Sequence, residues 1–303
     1  MKSVTVPTRV DGHELPLTNL DKVLYPAAGF TKRQVIDYYA RIAPVLLPHV
    51  AGRPLTLKRY PNGVAGEFFY EKSCPAHRPV WVRTCEACGK EGRRVRYCVI
   101  DGLASLVWVA NLASLELHVN LALAKTPSRP TAVVFDFDPG APAGLLDCLW
   151  AALEVRKILR PLGLESFPKT SGGKGLHLFI PLNTPSDFDR TKAFARSLSL
   201  KLEEKFPRRI TSNMRKELRR GKVFMDWSQN TEHKTTVCAY SLRALERPRV
   251  SAPLGWAEIE RAFGKKDAKS LAFEAGDVLE RVRKHGDLFA PAAGLKQKLP
   301  RVF

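Results

Sequence analysis

The 303-residue sequence is short of acid: 30 Asp and Glu stand against 49 Lys and Arg, a formal net charge of +19. A surface this basic draws polyanions, and an enzyme acting only on small acidic metabolites does not account for it. No apolar run reaches the roughly 18 residues of a spanning helix, and Met1-Lys2-Ser3-Val4 opens no apolar signal segment. A soluble intracellular chain with no membrane partner is therefore expected. Internal repeats and long low-complexity linkers are also missing, and 45% hydrophobic with 26% charged residues excludes disorder, collagen and coiled coil for the whole chain. The length suits one large domain or two small ones. Six cysteines, Cys74, Cys85, Cys88, Cys98, Cys148 and Cys238, are expected as thiols or metal ligands rather than disulfides in an intracellular setting.

The positive charge is focused. Arg208, Arg209, Arg215, Lys216, Arg219, Arg220 and Lys222 set seven bases against one acid, Glu217, within fifteen residues. A charge run of this kind is often a solvated face; its alternative is a phosphate-tracking patch, and the neighbouring chemistry decides between them.

Thr31 to Gln34 has capping-box spacing and is followed by Val35, Tyr38 and Ile42 at helical period, which predicts a helix over 31–47. A strand is expected over 53–60, then a hairpin with arms 80–83 and 94–100. Asp101 is expected to cap a long helix running toward His118. From residue 131 the order becomes strand (131–138), helix (143–160), strand (164–170), strand (176–182), helix opening at 186–189, and strand (222–227). This split β-α-β-β-α-β order is that of ferredoxin-like and RNA-recognition modules, whose first and last strands are sheet neighbours.

On such a sheet Asp136 and Asp138, two residues apart, share a face. Antiparallel pairing of the first and fourth strands would add Asp226. Three crowded carboxylates in a basic protein call for hard divalent cations such as Mg2+ or Mn2+, as in two-metal phosphoryl transfer. Taken alone, Asp138-Pro139-Gly140 reads equally as a strand-ending turn, but that leaves Asp136 and the second acidic strand unexplained.

The segments TNLDKVLYP (18–26), RPLTLKRYPNG (53–63), LVWVANLASLELH (106–118), FDFDPG (135–140), KTSGGKGLHLFIPL (169–182) and GKVFMDWSQN (221–230) resemble the polymerase domain of bacterial DNA ligase D, of the archaeo-eukaryotic primase superfamily, over nearly the whole chain. The resemblance implies an α+β primase-polymerase fold: an N-terminal α/β part (1–130), an RNA-recognition-like catalytic part (131–250) and a C-terminal helical part (251–303). It also implies a template-directed nucleotidyltransferase that fills gaps and extends ends in double-strand break repair with Ku and a DNA ligase, in the cytoplasm and nucleoid of a prokaryote. Such an enzyme would use nucleoside triphosphates, preferring ribonucleotides, and two divalent ions, favouring Mn2+.

By the same resemblance Asp136 and Asp138 bridge both ions and Asp226 holds the one that acidifies the primer 3′-hydroxyl. Ser171 and Lys174, in the SGGKG turn, cradle the triphosphate; the turn lacks Walker A spacing. His118, Gln229 and Arg243 contact the nucleotide, and His177 lies near the cleft. Lys22 and Lys32 match a pocket for the downstream 5′-phosphate of a gap, Phe68 and Phe69 stack on the template, and Arg219 or Arg220 positions template and metal. On their own these residue types have plainer uses, as turns, structural histidines and half-buried aromatics.

The family's end-aligning loop should fall near 84–94, where this chain carries Cys85-Glu-Ala-Cys88. With Cys74 and Cys98 this is C-x10-C-x2-C-x9-C, for which reduced thiols are the default and zinc the alternative. No K-x-D-G ligase motif occurs. Rival readings are a non-catalytic DNA-end-binding module, a stand-alone primase, and an excision-repair gap-filling enzyme.

Overall fold

The computed structural model describes residues 5–300. A hairpin of β1 (Thr5–Val10) and β2 (His13–Thr18) turns on Asp11-Gly12, both at positive φ, as a two-residue hairpin turn demands. The small pair β3 (Val23–Tyr25) and β4 (Phe30–Thr31) leads into α1 (Lys32–Val50). Thr31 and Gln34 form the expected capping box there, and Val35, Tyr38, Tyr39, Ile42 and Leu46 are buried.

Next come β5 (Leu55–Arg59), β6 (Phe69–Glu71), β7 (Thr84–Cys88), β8 (Arg94–Cys98), α2 (Leu103–Asn111) and β9 (Ser114–Asn120). Two expectations are corrected here. The first hairpin arm is 84–88 rather than 80–83. The helix after Asp101 stops at Asn111, Ala113 takes a positive φ, and His118 then lies on strand β9 instead of a helix end. Glu116 and His118, polar residues alternating with Leu115, Leu117 and Val119, give the period of two that belongs to a strand.

From residue 131 the expected order recurs with one added strand: β10 (Ala132–Pro139), α3 (Leu145–Leu159), β11 (Phe167–Thr170), β12 (Leu176–Pro181), α4 (Phe188–Lys205), then the unexpected short β13 (Ile210–Thr211), parallel to β14 (Val223–Asp226). β15 (Thr235–Val237), α5 (Trp256–Gly264), α6 (Ala275–His285) and α7 (Ala290–Gly294) complete the chain.

Two sheets dominate. The first has order β15-β9-β5-β8-β7, with β6 also on β5; the second has order β11-β12-β10-β14-β13. Within the second, β10 lies between β12 and β14, antiparallel to both. Each sheet has its own hydrophobic core, and the first draws on both chain ends, with Tyr240, Val250, Val278 and Phe289 packed beside α1 and α2 residues. Along β10, Val133, Phe135 and Phe137 point into the second core with α3 and α4 residues, which sends Asp136 and Asp138 to the opposite face. Val223 and Met225 of β14 do the same and leave Asp226 on the acidic face.

Cys74 and Cys98 are joined in a disulfide, Cα–Cα 4.8 Å. This corrects the expectation of reduced thiols for that pair: Cys74 N donates to Arg96 O at 2.7 Å, which lays the loop carrying Cys74 alongside β8. The pairing also removes two of the four residues from a zinc set, while Cys85 and Cys88 on β7 are free. Among the described residues no helix is long and apolar enough to cross a membrane.

Candidate active site

Strand register assembles a row of side chains on the acidic face. Lys169 of β11 stands opposite His177 of β12, His177 opposite Asp136 of β10, and Asp136 opposite Asp226 of β14. Asp138 is two residues along on the same face. The Asp138 carboxyl is pushed up to about 7 by desolvation and by the charges of Asp136 and Asp226. Asp136 stays below the ordinary aspartate range even though burial pushes it up, because His177, with Nε2 3.3 Å from Oδ1, holds it down. Oδ1 is itself buried without a hydrogen bond. Asp226 accepts from Ser228 N at 2.8 Å and from Gln229 Nε2 at 3.0 Å.

The donor set is all oxygen, crowded and partly unsatisfied, which fits a hard divalent ion. As the side chains stand, no three His, Cys, Asp or Glu among the described residues close on one point, and Asp226 is hydrogen-bonded to Ser228 and Gln229.

A cavity of about 420 Å3 brings Asp136, His118, His177, Gln229 and Arg243 together with Thr56, Tyr70 and Lys72. Its other wall is the first sheet. There Glu116 is almost fully buried and receives His118 (Nε2 to Oε2, 2.9 Å), Ala244 N (3.1 Å) and Lys58 (3.4 Å), with Arg243 Nε 3.3 Å away. Burial pushes Glu116 up, but these donors and charges outweigh it and hold the carboxyl down at about 2. Arg243 also donates to the Ser171 carbonyl, so one guanidinium ties the first sheet to the Gly-rich turn.

That turn is built around Ser171. Its Oγ accepts from Gly173 N (3.2 Å) and Gly175 N (3.1 Å), so those two N–H groups serve the turn and not a ligand. Gly172 has φ +75°, and a Cβ there would run into Arg243 Cγ. Lys174 lines a separate cavity of about 270 Å3 with Pro139, Gly144, Arg249 and Lys269, next to the end of the acidic strand.

Lys32 is buried and donates to Thr18 O at 2.7 Å; burial and the charges of Lys22 and Arg59 lower it to about 8. Lys22 is exposed and donates to Asn62 at 2.8 Å. Phe68 and Phe69 are about half exposed, and Phe68 stacks on Tyr60 with Lys58 Nζ 4.3 Å from its centroid. Arg219 lies over Phe224, and Arg220 bridges to Gly140, where a Cβ would meet the Arg219 carbonyl. The basic loop is thereby tied to the end of the acidic strand.

Sequence reasoning missed Glu116, Lys169, Tyr70 and Lys72. The period-two pattern of LELHV marked Glu116 as His118's neighbour on one strand face, and Lys169 interrupts an otherwise buried strand.

The family model described as "LigD, primase-polymerase domain" matches residues 31–289. The multifunctional non-homologous end joining protein LigD of Mycolicibacterium smegmatis is 44% identical over 277 residues, 91% of this chain and 35% of that protein. The bifunctional non-homologous end joining protein LigD of Bacillus subtilis is 31% identical over 274 residues, 90% and 43% respectively. This chain thus spans about a third to two fifths of the length of these relatives. A solved structure, the polymerase domain of Mycobacterium tuberculosis ligase D in complex with DNA, superposes with TM-score 0.85 at 40% identity over 93% of this chain and 99% of that one. With the acidic row, the basic surface and both sheets in place, the chain belongs to the LigD primase-polymerase domain family.

Proposed function

We propose that this chain is a metal-dependent, template-directed nucleotidyltransferase that fills gaps and extends ends at broken bacterial DNA, beside Ku and a DNA ligase. The observation that carries the reading is the register that faces Asp136 with Asp226 across β10 and β14, two residues from Asp138, in a protein of net charge +19. A passive end-binding module has no use for acids where phosphates must lie.

Asp136, Asp138 and Asp226 would hold two divalent ions, Mn2+ or Mg2+, which when bound acidify a primer 3′-hydroxyl and steady the leaving oxygen. Gln229 is placed beside Asp226, and His118 and Arg243 line the opposite wall where an incoming nucleoside triphosphate, preferentially a ribonucleotide, would seat. Arg243 meets the phosphates from the side of the Ser171 turn, and Lys174 meets them from the cavity next to the end of the acidic strand. Lys22 and Lys32 supply charge for a downstream 5′-phosphate, Phe68 and Phe69 stack on template, and Arg219 and Arg220 steer its backbone beside the acids.

The test is extension of a gapped, 5′-phosphorylated duplex in Mn2+ with ribonucleotides or deoxyribonucleotides. Asp136→Ala should lower incorporation by at least about a hundredfold, since a lost metal contact removes several kcal/mol from the transition state, with DNA binding retained. Full activity in that variant would sink the metal assignment.

A further inference from the structure

Lys169 is fully buried, yet among the described residues no carboxylate forms an ion pair with it. An amine in such a place is costly unless every proton finds a partner. Its Nζ lies 2.9 Å from His177 Nδ1 and 2.6 Å from Ser251 Oγ, and 5.6 Å from the Phe179 ring centroid. Ser251 gives its own proton to Thr170 O at 2.8 Å, so its oxygen can only accept from Lys169.

The same logic runs one step further along the row. A Lys169 ammonium has no lone pair and can only donate to Nδ1 of a neutral imidazole, which leaves the single ring proton on Nε2. Nε2 lies 3.3 Å from Asp136 Oδ1, close enough to bias that oxygen electrostatically but not aligned as a hydrogen bond, so Oδ1 keeps its lone pairs open. Strand register sets all three in line, with Lys169 opposite His177 and His177 opposite Asp136.

We propose that Lys169 is a positioning residue that fixes the His177 proton on Nε2 and so aims a donor at Asp136, steadying that carboxylate while leaving it lone pairs for a cation. The inference rests on reading Asp136 as a metal-binding residue. It explains a fully buried lysine that the fold keeps where an apolar residue would be cheaper. A donor behind a ligating group is the arrangement by which outer partners orient metal ligands, and loss of such a partner weakens metal binding roughly 10- to 100-fold.

The experiment has two readouts besides turnover: the His177 tautomer, from two-bond 15N–1H correlations, and Mn2+ affinity, from the free-ion signal in electron paramagnetic resonance. Wild type should show the Nε2–H tautomer. Lys169→Met should lose that preference and bind Mn2+ roughly 10- to 100-fold more weakly. In His177→Gln, whose amide donates to Asp136 without help, adding Lys169→Met should cost no further Mn2+ affinity.

An Nδ1–H tautomer in the wild type overturns the proposal even if Lys169→Met fails to fold. So does wild-type Mn2+ affinity in a folded Lys169→Met. Asp136→Ala separates the two readings: unchanged Mn2+ affinity there removes the metal assignment, while the tautomer still decides whether Lys169 sets the His177 proton.

Discussion

The cleft has two walls, and they handle carboxylates in opposite ways. On the first sheet Glu116 is ringed by His118, Lys58, Arg243 and the Ala244 N–H and is held at about 2. On the second, Asp138 lies two residues along from the facing pair Asp136 and Asp226 and is pushed up to about 7 by burial and their charges. Glu116 has Lys58 and Arg243 built in; Asp226 has Lys234 only at 4.0 Å, and Asp136 has the His177 ring at 3.3 Å. A buried acid with internal partners is structure, holding His118 and Arg243 in place. Crowded acids with few partners are the arrangement that an added cation would relieve, which is what the proposed metal site uses.

The two histidines repeat the contrast. His118 Nε2 faces a carboxylate, which can only accept, so that nitrogen carries the proton. His177 Nδ1 faces the Lys169 ammonium, which can only donate, so in the neutral ring that nitrogen is the acceptor. Both rings lie in the same cavity, each oriented by a buried group of opposite sign.

The largest expected effect strikes the saturated wall. Glu116→Ala strands Arg243 and Lys58 beside an empty place, and breaking a buried pair from one side costs about 3 to 5 kcal/mol. Thermal unfolding should show a Tm drop on the order of 10 °C for a chain of this size. A drop of only a degree or two would mean that Glu116 is not the structural anchor of that wall.

Next in size is a pH effect on the same residue. Glu116 titrates near 2 in the fold against 4.5 when unfolded, so as pH falls the unfolded chain takes up the proton first. The stabilisation is whole above about pH 4.5 and drains as pH falls toward 2, with about 2 kcal/mol gone by pH 3. Urea unfolding from pH 6 to 3 should therefore fall more steeply in wild type than in Glu116→Gln. Equal slopes would place the charge compensation elsewhere.

Much of this was legible beforehand because it follows from periodicity. The FDFDPG strand, with acids alternating against Phe135 and Phe137, and the acid ending KVFMD specify which face each carboxylate takes, and register then brings Asp136 to Asp226. The Thr31 capping box was equally plain, being a contact three residues apart. What stayed hidden depends on contacts across long stretches of chain. Glu116 meets Lys58, Arg243 and Ala244, which are 58, 127 and 128 residues away in the sequence. Lys169 meets Ser251, 82 residues on. No local pattern announces such a partner, and the Cys74–Cys98 bond was missed because spacing alone does not tell a bonded pair from two thiols.

The smallest effect has the opposite sign and is the sharpest test of the comparison. Asp138→Asn removes one charge from a crowded trio and leaves a side chain of the same shape. If the second wall is short of cations, its acids repel one another in the metal-free protein and the variant should be more stable than wild type, by roughly 0.5 to 1 kcal/mol, the usual return on relieving an unfavourable charge at a functional site. Nucleotide incorporation should fall all the same, because the charge that destabilises the metal-free site is the one proposed to bind the ion. Saturating Mn2+ should then reverse the order of stability, since only the wild type gains fully from ligand that binds the folded state. A destabilised Asp138→Asn in chelator would show that these carboxylates, like Glu116, already have their partners within the protein, and the two walls would no longer differ.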